Sequence, residues 1–306
     1  MILIITHKQD YTSDFVIDKL NHRNIDYYRF NCEDIDDSDY TLSLENGNVE
    51  FQLHGIKDVH AVWFRRTKLP DIDIDNQSEK LFILNDYDTL LQNMYHLIPT
   101  KKWLSFPSDV YLAENKLYQL KIANQIGFNI PKSVVTNSKD RLRKLSYQNG
   151  SLIIKPISNG RIKYGEEIKN IFTNKIEKQY FDNLGEFTLT PSIIQPYIEK
   201  DIELRITVVN KAVFSAQVDS QSNELTKVDW RKEKLKFKKY DLPVEVEEKC
   251  IRLLELLNIS FGAIDLIKQP NGEYIFLEIN PNGQWAWIEM DTGLNISDEI
   301  INFLTS

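Results

Sequence analysis

The chain has 306 residues, 42% hydrophobic and 27% charged, with a formal net charge of -8. That describes a globular protein too long for one ordinary core, so two or three domains are expected. The acidic balance argues against a general nucleic-acid binder, and no stretch approaches the ~20 apolar residues of a membrane helix. Cys32 and Cys250 have no metal-ligand spacing and are expected to be reduced, in a cytoplasm. There is no internal repeat and no low-complexity tract.

The first residues, MILIITHKQD, hold a short apolar run before polar residues, which reads as a buried strand rather than a signal peptide. Asp10 to Asn21 carries Phe15, Val16, Ile17 and Leu20 at helical spacing, and Ile25 to Phe30 is a second strand. Strand, helix, strand predicts a parallel α/β unit. No G-x-G-x-x-G follows the first strand and no G-x-x-x-x-G-K-[ST] occurs, which argues against a dinucleotide fold or a P-loop. Val59 to Phe64 is another strand, ending at Arg65-Arg66. Arginines at the carboxyl end of such a strand are placed to meet an anionic ligand. They could equally pair with the Asp residues of DIDIDN nearby. Leu81 to Leu97 reads as a long helix.

A helix is predicted from Phe106-Pro107-Ser108, with Ser108 as N-cap, to about Ile126, with Lys116 inside it and Gly127 at C′. Asn129 to Pro131 is extended, and Asp140 to Leu145 a short helix. Ser151 to Pro156 is a buried strand with Lys155 at its end, followed by the loop ISNGRIKYGEE with Gly160 and Gly165. A lysine there can meet a phosphate oxygen while loop N–H groups close over it, although many strands end in lysine. In IIQPYIE, Pro196 breaks a strand ladder and leaves backbone groups free, as an adenine edge requires and as an ordinary edge strand also would. Glu203 to Val209 and Lys211 to Val218 form a hairpin turning at Asn210. Lys227 to Lys239 holds seven basic and two acidic residues, either a patch for an acidic partner or a solvated amphipathic strand. Glu245 to Asn258 is an amphipathic helix, and a last helix starts near Ser297.

Between these helices lies FGAIDLIKQPNGEYIFLEINPNG, two apolar runs flanking Asn271-Gly272. With those two residues as the loop, Asp265 is predicted to stand opposite Glu278, with Asn280 on the same face. Acids in so apolar a hairpin are costly unless paired or metal-bound. Two carboxylates and an amide oxygen make a hard-oxygen site suited to Mg²⁺.

Taken in order, these segments resemble the ATP-grasp superfamily, and most closely its ribosomal-S6-glutamate-ligase-like branch. ENKLYQLKIANQIGFNIPKS looks like the first-lysine helix, LIIKP the second-lysine strand, IIQPYIEK the adenine hinge, and FGAIDL with FLEINPN the metal-binding strands. MILIITHKQDYTSDFVIDKL, VWFRR, Asp229-Trp230-Arg231 and LEINPNGQW look like the graspetide ligases, which include the microviridin-type maturases. The resemblance implies an α/β (α+β) protein in three parts: a doubly wound parallel-sheet domain (1–105), a central domain (106–194) and an antiparallel-sheet domain (195–306), with nucleotide between the last two. It implies ATP and Mg²⁺ as cofactors. Asp265, Glu278 and Asn280 would hold the metal, and Lys116 and Lys155 the phosphates. Gln195, Pro196, Tyr197 and Ile198 would surround adenine. The ribose would fall to Asp201 or Glu203, between which the spacing leaves the choice open. Arg205 would stabilise the transferred phosphoryl group. Arg65, Arg66 and Arg231 are candidates for the substrate carboxylate, with Asn282 a further substrate contact. The implied partner is a precursor peptide with an acidic core, its leader docking near 206–220. A homodimer is a family expectation.

Overall fold

Every residue of the first strand is apolar except its last, so the strand must be covered on both faces. The structure, a computed structural model, describes residues 1–158, 160–164, 167–177, 180 and 190–306. The first part runs β1 (Ile2–Thr6), α1 (Tyr11–His22), β2 (Tyr27–Asn31), the hairpin β3 (Tyr40–Glu45) and β4 (Asn48–Leu53), β5 (Ala61–Phe64) and α2 (Gln77–Leu97). Then come α3 (Pro107–Ala113), α4 (Lys116–Gln125), α5 (Lys139–Asn149), β6 (Leu152–Pro156), the hairpin β7 (Arg161–Tyr164) and β8 (Glu167–Asn170), β9 (Asn174–Ile176) and β10 (Ser192–Pro196). The last part is β11 (Ile202–Val209), β12 (Ala212–Val218), β13 (Lys238–Lys239), α6 (Val244–Leu256), β14 (Phe261–Lys268), β15 (Tyr274–Asn280), α7 (Ala286–Thr292) and α8 (Ile296–Thr305). Among the described residues no helix is long and apolar enough to cross a membrane.

The class is α/β with a parallel sheet first and antiparallel sheets after it. β1 lies between β2 and β5, parallel to both, so the chain reverses its direction of winding there. Leu3 and Ile5 pack with Leu91, Met94 and Tyr95 of α2. Ile2 and Ile4 pack with Val16 and Leu20 of α1 and with Ile300, Ile301 and Leu304 of α8. The C-terminal helix therefore seals the N-terminal sheet. Lys19 of α1 fixes it there, bonding Glu289 at 2.8 Å and Ser297 at 2.5 Å.

The helix predicted from Ser108 to Ile126 is two helices. Pro107 occupies the first turn of α3, after Phe106 as cap. Asn115 then turns its amide back onto the carbonyls of Tyr111 and Leu112 (3.2 and 2.9 Å), ending α3 by local competition. Lys116 consequently opens α4 instead of lying inside a helix. Gly127 does end α4 with a positive φ of 83°. The segment expected to be a glycine loop after β6 is largely the β7–β8 hairpin. Gly160 is needed before it, because a Cβ there would sit 2.8 Å from the Ile171 carbonyl oxygen. Gly165 lies outside the described residues.

Five strands, in the order β13-β12-β11-β14-β15, form the main antiparallel sheet, and β10-β6-β9 form a smaller one. Leu204, Ile206, Ile264 and Leu266 share one core with α6, as the period of two demands, and Phe276 and Ile279, three residues apart, join them across a bulge. The opposite face carries the polar residues.

The β14–β15 turn has three loop residues, not the two expected. Gly272 donates to the Gln269 carbonyl and Gln269 to that of Glu273, both at 2.9 Å, with Gly272 at φ 88°. Lys268 then faces Tyr274, a register that by itself would place Leu277 opposite Asp265. A bulge between Asp265 and Leu266 makes Leu277 the extra residue and restores the Asp265–Glu278 pair. In an unbulged strand Glu278 would point into the apolar core.

Arg65, expected near a substrate or the DIDIDN aspartates, does neither. Its side chain is 1% exposed and bonds Asp10 at 3.1 and 3.4 Å, beneath α1 and over the Trp63 ring. Burial opposes the charge on Asp10, but Arg65, Ser13 and Thr6 outweigh it and hold the carboxyl well below its usual range. A depressed folded-state pKa stabilises the fold above the ordinary carboxylate range and fades as pH falls below it. Arg65→Met should therefore cost ~3–5 kcal/mol by urea unfolding at neutral pH, by orphaning a buried acid. The deficit should shrink as the titration is repeated below pH ~4, where unfolded Asp binds its proton.

Candidate active site

The polar face of the main sheet is organised by one row. Arg205 on β11 pairs in register with Asp265 on β14, and Asp265 with Glu278 on β15. Arg205 Nη1 donates to both Asp265 oxygens at 2.9 Å, and its Nη2 to the Gln284 carbonyl at 3.4 Å. Lys116 Nζ lies 3.5 Å from Glu278 Oε2 and donates to the carbonyls of Pro156 and Ser158 (3.3 and 3.2 Å). The first turn of α4 is thereby tied to the end of β6, where Lys155 stands.

The electrostatics separate the two acids. Burial raises the Asp265 carboxyl and Glu278 beside it adds to that, against the pull of Arg205. Burial works against the Glu278 charge too, but Lys116, Lys155, Arg231 and Arg205 together hold that carboxyl below its usual range. Lys155 is lowered by burial, opposed by Glu278. Like charges face each other here because cations surround them.

A cleft of about 880 Å³, counting the space open at its mouth, lies between the small sheet and the main one. Lys116, Lys155, Gln195, Pro196, Tyr197, Ile198, Glu203, Arg231, Asp265 and Glu278 all line it. The segment after β10 leaves the ladder at Pro196, and Tyr197 N bonds back to the Ser151 carbonyl at 2.9 Å. Between the two ribose candidates, Glu203 lines the cleft whereas Asp201 is exposed outside it. Asn280 faces Ala263, two pairs along from the acids and so on the same face, outside the cleft lining. Asn282 is buried in the following turn, also outside it. Arg66 stands outside too, close enough to Glu114 to oppose the burial-driven rise of that carboxyl.

The donor set suits a hard cation. Among the described residues no group of three or more His, Cys, Asp or Glu is placed to hold a metal ion by itself. Asp265 and Glu278, with Asn280 two pairs along, would leave most coordination positions to water and phosphate oxygens, as Mg²⁺ prefers.

Some cleft residues gave no functional signal in the sequence. Lys200 pairs with Glu203 at 2.6 Å within the wall, yet in the charged segment Glu-Lys-Asp-Ile-Glu nothing local sets it apart from a solvated lysine. Ile171 and Thr173 reach the cleft only through tertiary placement. The basic segment splits: Arg231 enters the cleft, while Lys234, Lys236 and Lys238 alternate outward from buried Phe237, as a solvated edge strand does. Within the leader surface expected at 206–220, β11 is flanked by β12 and β14 and buried from Glu203 to Val209, whereas β12 meets β13 only at Ala216 and Gln217 and is half-buried from Ala212 to Phe214.

Comparison with known proteins adds two family matches, a RimK-like ATP-grasp domain over residues 113–304 and an MvdD pre-ATP grasp domain over residues 1–110. Among solved structures, the chain is similar to a Chryseobacterium gregarium RiPP-associated ATP-grasp ligase in complex with ADP and a leader and core peptide. Identity is 28%, TM-score 0.88, and coverage 99% of this chain and 96% of that one. It is also similar to macrocyclase MdnC of Microcystis aeruginosa, bound with precursor peptide MdnA, at 27% identity and TM-score 0.86 over 99% of each chain. Among curated proteins, the alpha-aminoadipate–LysW ligase LysX of Sulfurisphaera tokodaii is 26% identical over 223 residues, 70% of this chain and 73% of that protein. None of these likenesses supports the expected homodimer.

Gly283 closes over the acid row. A Cβ there would lie 2.5 Å from that of Ala263 and 2.9 Å from Arg205 Nη2. Gly283→Ala should push Arg205 off Asp265 and lower stability by ~1–3 kcal/mol, as overpacking does. A crystal structure of the variant with the pair intact, or an unchanged melting temperature, would refute this.

Proposed function

We propose, from the premise that this chain belongs to the RimK-like ATP-grasp family, that it is a ligase of that family acting on peptides. It would activate Asp or Glu side chains of a ribosomal precursor peptide with ATP and close them onto Ser, Thr or Lys side chains as ω-ester or ω-amide macrocycles. The observation that carries this reading is the whole-chain likeness, over 99% of its length, to a RiPP-associated ATP-grasp ligase and a macrocyclase, each solved with peptide. The MvdD-type pre-ATP grasp match at the N-terminus supports the same branch.

A carboxylate resists attack because its oxygen leaves poorly, whereas the phosphate of an acyl phosphate leaves readily. The protein's task is to align the two reactants and neutralise charge. The family uses ATP with Mg²⁺, which supplies neutralisation at the phosphates when bound to the Asp265–Glu278 face. Lys116 and Lys155 would neutralise phosphate oxygens from the other wall. Backbone groups of Gln195 and Ile198 would bond adenine edges beside Tyr197, and Glu203, not Asp201, would take the ribose hydroxyls. Arg231, at the edge of the cleft, would hold the substrate carboxylate. Arg205 Nε is buried without a protein partner among the described residues, a donor left over for the transferred phosphoryl group. Arg66 and Asn282 remain candidates for outlying peptide contacts, and Arg65 is withdrawn because it is sealed in the N-terminal core.

A second reading is intermolecular ligation of a free amino acid to a carboxylate, favoured by the likeness to a LysW ligase. Mass spectrometry after incubation with ATP, Mg²⁺ and the precursor separates the two. Cyclisation removes one water per bond, while ligation adds a residue. Glu278→Gln should lower peptide-dependent ADP release by ~10²-fold or more while the protein stays folded, since a charge-stabilising group is lost. ADP release that survives in that variant would exclude the acid row as the reaction centre.

A further inference from the structure

Lys200 and its partners connect two walls of the cleft. Its side chain is 3% exposed, and its ammonium group bonds Glu203 Oε1 at 2.6 Å and the Val228 carbonyl at 3.3 Å. These partners belong to different segments. Glu203 sits on β11 facing the cleft. Val228 immediately precedes Asp229, which is 4% exposed. The Asp229 carboxylate accepts four bonds, from Arg231 N (3.1 Å), Nε (2.8 Å) and Nη2 (2.6 Å) and from Thr173 N (3.1 Å). A carboxylate so filled ties the guanidinium to its own turn, so whatever holds Val228 also places Arg231.

A local ion pair would need only Glu203. The bond to Val228 adds something an i,i+3 pair does not require, because it joins the chain just ahead of Asp229 to the strand that carries Glu203. Ser220 stands close enough to Glu203 to favour its charge, and its backbone carbonyl accepts from Thr226 Oγ1 at 2.9 Å, so both ends of the 220–228 loop converge on one buried pair. A buried Lys makes such a junction well: its three donors serve a charged and a neutral acceptor at once, and losing either leaves a desolvated group.

We infer that Lys200 is a positioning residue that couples the nucleotide wall to Arg231, so that occupancy beside Glu203 fixes the 228–231 segment that presents the substrate arginine. This rests on the nucleotide-binding part of the reading above and goes beyond it, since neither Lys200 nor a link between the two walls belongs to that reading. It predicts that nucleotide orders Arg231 before any peptide arrives.

The test is hydrogen exchange of the full chain with and without Mg²⁺ and a non-hydrolysable ATP analogue, with no peptide present. In the wild type, nucleotide should slow exchange of the 228–231 amides severalfold. Lys200→Met should weaken nucleotide binding about ten-fold, the worth of one charge-assisted hydrogen bond, and at saturating nucleotide the 228–231 amides should no longer gain protection. Lys200→Met combined with Glu203→Gln leaves no orphaned buried charge and should show the same lost protection in a folded protein. Protection passed on undiminished in either variant would overturn the inference and leave the ligase reading standing. A wild type that binds no nucleotide would overturn both.

Discussion

Two acids facing each other across an apolar hairpin must be held by cations, and the placement of nearly every functional group follows from that requirement. Asp265 and Glu278 would repel if left alone in a buried row. Arg205 meets the first from the adjacent strand, and Lys116 meets the second from the start of a helix. Because Lys116 also grips the carbonyls after β6, balancing Glu278 fixes one side of the cleft as well. The same charges that make the ligand-free row tolerable are of the kind that polyphosphate chemistry needs, cations for anionic oxygens and acids for a divalent metal. The site is preorganised by electrostatic necessity and not only by shape.

The scaffold around this row is knitted across the whole sequence. The last helix covers the first sheet, while Gln119 of α4 bonds both the N–H and the carbonyl of Ile279 on β15 (3.0 and 2.8 Å). Arg65 shows what such knitting does to a charged group. A guanidinium at the end of a parallel strand is well placed for a ligand, but Asp10 reaches it first, and the pair serves the N-terminal core instead.

The sequence by itself determined much. The strand-helix-strand opening and the acidic hairpin could be read because local composition and spacing specify elements and their faces, whereas the two lysine segments and the hinge with its proline were read through the family resemblance. Even the facing of Asp265 and Glu278 was foreseeable, although the reason was not. A three-residue turn shifts the ladder one way and a bulge at Leu277 shifts it back, so two departures cancel. Neither has a local signal, since a bulge is settled by which side chains the two faces of the sheet must bury.

Only the tertiary structure decided which charged side chains share a space. Glu203 rather than Asp201 lines the cleft, Arg65 is sealed away from it, and Lys200 bridges two of its segments. Of the hairpin at 206–220, β11 proved to be interior sheet, while β12 meets its outer neighbour at two pairs. Periodicity tells a side chain which face it occupies, but what it meets there depends on segments distant in the chain, and the energy of a buried charge is set almost wholly by those partners.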